Sequence, residues 1–143
     1  MEQRRRQGLN LPSSNGLAAG LDMERPSILL VDDEAPLLRL MGEFLRHLGY
    51  EVEACATGTD ALRVLDKNPR KFALIVVDLS LPDFSGDDLV RRLVGFYPEL
   101  PILICSGMPY SVEQLPPRVR FLQKPFVPKM LAQEIDAMIG ARE

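Results

Sequence analysis

The chain has 143 residues, a length that suits about one domain. Lys and Arg number 17 against 20 Asp and Glu; the net charge of −3 argues against a dedicated nucleic-acid binder, which would carry a strongly basic face. With 46% apolar residues the chain can build a proper core, which excludes wholesale disorder, and no apolar run approaches the roughly 18 residues of a membrane span. Residues 1–25 mix Gly, Ser, Asn and Arg with leucines that keep no period, and read as a flexible arm. The run Arg4-Arg5-Arg6 lacks the hydrophobic segment of a secretory signal, so a cytoplasmic location is expected, with the arginines solvated.

From Ser27 short apolar runs alternate with amphipathic stretches. Ile28-Leu29-Leu30-Val31 is continuous and short, as in a strand buried on both faces. Leu37, Leu38, Met41, Leu45 and Leu48 then keep a helical spacing, with Pro36 in the first turn and Gly49 as a stop. Glu51 to Cys55 alternates like an edge strand, and Ala61, Leu62 and Leu65 mark a short helix ended by Asn68-Pro69. Phe72 to Val77 predicts a central strand; Leu89, Val90, Leu93 and Phe96 predict a third helix after Gly86. Ile102 to Cys105 is another buried run, Val119 to Gln123 alternates weakly, and a last helix starts at Pro128 and buries Leu131, Ile135, Met138 and Ile139.

This alternation predicts an α/β fold with a five-stranded parallel sheet covered on both faces. Continuous runs belong in the centre and alternating ones at the edges, which selects order 2-1-3-4-5, the flavodoxin-like doubly wound arrangement. One helix is weak. Between Ser106 and Val119, Pro109, Pro116 and Pro117 leave room for one or two turns, so the fourth helix is expected to be short or irregular.

Ligands of such sheets bind beyond the carboxyl ends of the strands, at the switch between strands one and three. The residues there are Asp32, Asp33 and Glu34 after strand one, Asp78 after strand three, Ser106 after strand four and Lys124 after strand five. Any one of them is commonplace as a strand end or helix cap; their coincidence on one edge is not. Three crowded carboxylates call for a cation, and an all-oxygen donor set suits Mg²⁺ better than zinc. A cation, an ammonium and a hydroxyl around one carboxylate fit aspartyl-phosphate chemistry, with Asp78 as nucleophile.

The sequence resembles the receiver domains of two-component response regulators. The matching residues are Val31-Asp32-Asp33-Glu34, Val76-Val77-Asp78-Leu79-Ser80-Leu81-Pro82 with Ser85-Gly86, Cys105-Ser106-Gly107, and Phe121 through Phe126. The resemblance covers residues 26–141 and implies that Asp78 is the phosphoacceptor. It implies that Asp33, Asp78 and the Ser80 carbonyl hold Mg²⁺ directly, with Asp32 acting largely through water. Ser106 and Lys124 would bind the phosphoryl group, Gly107 would leave its pocket open, and Lys124-Pro125 would be cis. Ser106 and Phe121 would form the switch. The wording from Leu115 to Phe126 looks like receivers attached to hybrid sensor kinases.

A histidine kinase or phosphotransfer protein is the implied donor. With 26–141 assigned to the receiver, no output unit is expected, and signalling should pass by contact with an unidentified protein, without direct DNA or membrane binding. The chain is expected to be no enzyme beyond its own phosphorylation and slow autodephosphorylation, since neither Ser80 nor Met108 is a carboxylate or amide able to orient water. Rival readings fare worse. A haloacid-dehalogenase-type phosphohydrolase wants a second acid at position 80, which is Ser, and a receiver-shaped docking module that takes no phosphate usually lacks an acid or the lysine. No histidine follows Ser106 to make a hydrolase triad, and His47, the one histidine, reads as a helix-end residue. Cys55 and Cys105 read as buried free thiols, and Met23, Met41, Met130 and Met138 as packing or tail residues.

Overall fold

A computed structural model describes residues 25–142. Of the arm expected over residues 1–25, only Arg25 falls among them, and the arginine run and Met23 lie outside. The elements are β1 (Ser27–Val31), α1 (Ala35–His47), β2 (Glu51–Cys55), α2 (Gly58–Lys67), β3 (Leu74–Asp78), α3 (Gly86–Phe96), β4 (Ile102–Ser106), β5 (Val119–Gln123) and α4 (Pro128–Arg142). All neighbouring strands pair in parallel, in the order β2-β1-β3-β4-β5 expected from the sequence.

Strand alternation sorts the core into two layers, because successive side chains leave opposite faces of a strand. Leu29, Val31, Ile75, Val77, Ile102 and Ile104 face α2 and α3, where Ala61, Leu65, Leu89 and Leu93 meet them. Ile28, Leu30, Leu74, Val76, Leu103 and Cys105 face the other way, onto Met41 and Leu45 of α1 and Leu131, Ile135 and Met138 of α4. β1, β3 and β4 are buried at every position, which is why their sequences are apolar but for Ser27, Asp78 and Ser106 at their ends. Burying each such Leu, Ile or Val contributes about 1.5–3 kcal/mol.

The edge strands differ from expectation in degree. β5 buries Val119 and Leu122 and half-buries Phe121 instead of alternating strictly, and in β2 only Cys55 is buried, because an edge strand has no neighbour on its outer side. Arg46 covers part of that edge by donating to the Val52 carbonyl at 3.1 Å. Phe72, expected within the third strand, precedes β3 and serves the core from the loop. Helix ends follow the sequence signals: Thr57 accepts from Asp60 N–H, Ser85 accepts from Asp88 N–H, and Gly49 takes a positive φ of 105° just after α1.

No helix forms among residues 107–118. Two turns stand in its place, closed by Leu115 N–H to the Val112 carbonyl and Val119 N–H to the Pro116 carbonyl. Prolines withhold amide donors here, while Tyr110, Val112 and Leu115 pack on the core without helical spacing. Arg118 secures the segment by donating to the Leu100 carbonyl at 2.6 Å and the Val94 carbonyl at 3.1 Å. No helix of the described residues is long and apolar enough to cross a membrane.

Candidate functional site

Strand register assembles the site. Val31 lies opposite Val77, so the residues that follow, Asp32 and Asp78, end neighbouring strands side by side at the point where chain order reverses. Asp78 pairs with Cys105, one residue short of Ser106, and Ser106 pairs with Gln123, one residue short of Lys124. The Lys124 amide then donates to the Ser106 carbonyl at 2.8 Å, and the cis Lys124-Pro125 bond expected from the resemblance follows.

The side chains converge. One carboxylate oxygen from each of Asp32, Asp33 and Asp78 lies within 4.8 Å of the others; Asp32 and Asp78 are buried and Asp33 is exposed. Lys124 Nζ stands 3.0 Å from Asp32, 3.6 Å from Asp78 and 3.8 Å from Glu34. Asp32 also accepts from Glu34 N–H at 2.9 Å, which fixes its orientation. Ser106 is buried, and its hydroxyl oxygen accepts from Met108 N–H at 3.0 Å, leaving its O–H to donate. A Cβ added at Gly107 would meet nothing within 4 Å, so the mouth of the site is open there. Phe121 is half-buried against the core.

Charge is unbalanced in this cluster. Burial pushes the Asp78 carboxyl above its usual pKa and the Asp32 charge pushes the same way, opposed by Lys124 and by the Ser80 N–H, which donates to Asp78. Burial works against the Lys124 ammonium, but the hydrogen bond to Asp32 and the nearby carboxylates outweigh it and raise its pKa. One ammonium thus faces three converging carboxylates, two of them buried. A hard divalent cation fits this donor set: all oxygen, anionic, and accessible on the Asp33 side. Asp32, Asp33 and Asp78 are the side chains that would hold it. The Ser80 backbone lies beside Asp78 through its N–H.

The structure therefore brings the carboxylates of Asp32, Asp33 and Asp78 together, sets Lys124 against Asp32 and Asp78, and ends the neighbouring strand β4 at Ser106. Glu34, already marked at the switch edge by the sequence, and Asp83, which sequence reading missed, complete the surroundings. Glu34 joins the Lys124 network, and Asp83, five residues after Asp78, accepts from Gly58 N–H, Thr59 N–H and the Thr59 hydroxyl at the start of α2. No local pattern marks that contact, since its partners lie 24 and 25 residues away.

Residues 28–136 match the profile of the response regulator receiver domain. The response regulator receiver protein CpdR of Brucella abortus (strain 2308) is 30% identical over 118 residues, 80% of this chain and 97% of its own length. The two-component response regulator ARR12 of Arabidopsis thaliana is 35% identical over 80 residues, 56% of this chain and 13% of its own length. Four of the relatives matched, ARR12 among them, are longer proteins of which the chain spans between 13% and 52%. A solved CheY-like receiver domain protein from Methanospirillum hungatei JF-1 aligns with a TM-score of 0.74 at 28% identity, covering 82% of this chain and 96% of that one.

Proposed function

The chain belongs to the response regulator receiver domain family of two-component signalling, and from that membership we propose that Asp78 is its phosphoacceptor. The observation that carries the proposal is the cluster itself: three carboxylates within 4.8 Å of one another, with Lys124 Nζ at 3.6 Å from Asp78. An Asp78 oxygen attacks the phosphorus of a phosphohistidine on a histidine kinase or phosphotransfer partner. The P–N bond breaks, the imidazole leaves with the electron pair, and an acyl phosphate remains on Asp78. Bound Mg²⁺ would supply positive charge to the phosphoryl oxygens during transfer.

The protein's own groups do the rest. Lys124 is held protonated by its carboxylate neighbours and can move its ammonium from Asp32 toward a phosphoryl oxygen. Ser106 donates its O–H to another oxygen, and that pull on the end of β4 opens space for Phe121 to turn inward. The altered surface around β4 and β5 then selects a different protein partner. The chain acts on no separate substrate, loses its phosphoryl group slowly, and works in the cytoplasm.

Incubation with acetyl phosphate and Mg²⁺ followed by intact-mass measurement tests this directly. A gain of one phosphoryl group, abolished by Asp78→Asn, is the expected result. No adduct on the unaltered chain would overturn it and favour a docking module that takes no phosphate; an adduct retained in Asp78→Asn would overturn the assignment to Asp78 by placing the phosphoryl group on another residue.

A further inference from the structure

The turn from Asp78 to Ser85 must hold its shape if Asp78 and the Ser80 backbone are to serve one cation. On the sheet side it is secured by Leu79 N–H to the Cys105 carbonyl at 3.3 Å and by the buried Leu81. Gly86 lies against Leu79, whose Cβ stands 3.0 Å from where a Cβ on the glycine would be. On the α2 side the anchor is Asp83. One oxygen accepts from Gly58 N–H at 2.9 Å; the other accepts from Thr59 N–H at 2.8 Å and from the Thr59 hydroxyl at 2.5 Å. Thr57 covers the Asp60 amide, so Asp83 supplies the partners that the first two amides of α2 would otherwise lack. The neighbouring Phe84 ring lies on Gly58 so closely that a Cβ there would come within 2.5 Å of it.

A carboxylate suits this place for two reasons. It meets the positive end of the α2 dipole, and both its oxygens are engaged, so it fixes direction as well as distance. The Thr59 hydroxyl, with the two amides, holds the Asp83 carboxyl below its usual pKa, so the anchor stays charged.

The geometry points to Asp83 as a positioning residue of the phosphoacceptor site: clamped to the start of α2, it holds the Asp78–Ser85 turn in the shape that takes Mg²⁺. This rests on the Mg²⁺-dependent acceptor reading above. Removing a partner that orients metal ligands costs about tenfold in metal affinity or more.

The test is a Mg²⁺ titration of the ¹⁵N-labelled full chain by amide chemical shifts, with amide exchange of residues 79–85 measured in metal-free buffer. Asp83→Ala should weaken Mg²⁺ binding by about tenfold and speed exchange of the turn. Thr59→Val, which removes one of the three bonds and keeps both amides, should weaken it by a smaller factor and serves if Asp83→Ala does not fold. Asp83→Asn, similar in size and still an acceptor, should recover part of the loss. Unchanged Mg²⁺ affinity in the folded variants, whatever their unfolding midpoint, would make Asp83 a mere stability residue and overturn the inference while leaving the acceptor reading intact. An unaltered chain that shows no Mg²⁺-dependent shifts would overturn both.

Discussion

Neutralising Asp78 should stabilise the metal-free protein. The Lys124 ammonium is 3.6 Å from the Asp78 carboxylate, an attraction of about 5 kcal/mol at an effective dielectric constant of about 20. Against it, Asp32 lies within 4.8 Å, a repulsion of about 3 kcal/mol or more at the same dielectric constant, and the exposed Asp33 adds a solvent-screened share. The Coulomb terms nearly cancel. Desolvation of a carboxylate buried to 4% exposure therefore decides the sign, in agreement with the upward shift of its pKa. Asp78→Asn removes that cost and keeps an acceptor for the Ser80 N–H, so we expect a gain of about 1–2 kcal/mol, or roughly 1 M in urea midpoint. Because the chain has no Trp, far-UV circular dichroism in urea with a chelator present is the assay. The folded pKa of Asp78 lies above its unfolded value, so folding takes up protons between the two and the penalty fades as pH falls through the folded value. The two midpoints should converge in mild acid. Saturating Mg²⁺ should stabilise the unaltered chain more than the variant. An Asp78→Asn protein no more stable than its parent in chelator at neutral pH would refute this accounting.

Three further outcomes follow from the fold. Arg118→Ala strips two carbonyl partners at Leu100 and Val94 and should cost about 1.5–3 kcal/mol in urea unfolding, with faster amide exchange across residues 107–118. Gly49→Ala should cost about 1 kcal/mol, because its φ of 105° is strained for any side chain although nothing crowds the position; a loss as small as that of an exposed helix-interior change would contradict this. Burial pushes the Cys55 thiol up to about 11 and Cys105 to about 12, so neither should react with a thiol reagent at pH 8 in the native state, and both should react in urea.

Much of the architecture was written in local pattern. Continuous apolar runs at Ile28, Leu74 and Ile102 announce strands covered on both faces, because only a doubly covered sheet can hide every side chain in turn. Asp32, Asp33, Asp78, Ser106 and Lys124 were legible as site candidates for the same reason: in a parallel sheet every strand delivers its last residue to one edge. The segment after Ser106 was harder. Its prolines forbade a full helix, yet no pattern said that Arg118 would tie it to carbonyls of Val94 and Leu100.

The net charge of −3 likewise carries little information as a sum. Chain order and side-chain chemistry settle which carboxylates reach the switch edge, and a one-dimensional reading suffices for that. Their spacing within 4.8 Å, the placing of Lys124 nearest to Asp32, and the fastening of Asp83 onto α2 arise from strand register and from contacts between residues up to 92 apart in sequence. Such contacts exist only once the two core layers have packed, because packing is what sets the separation and the dielectric surroundings on which charge–charge energies depend.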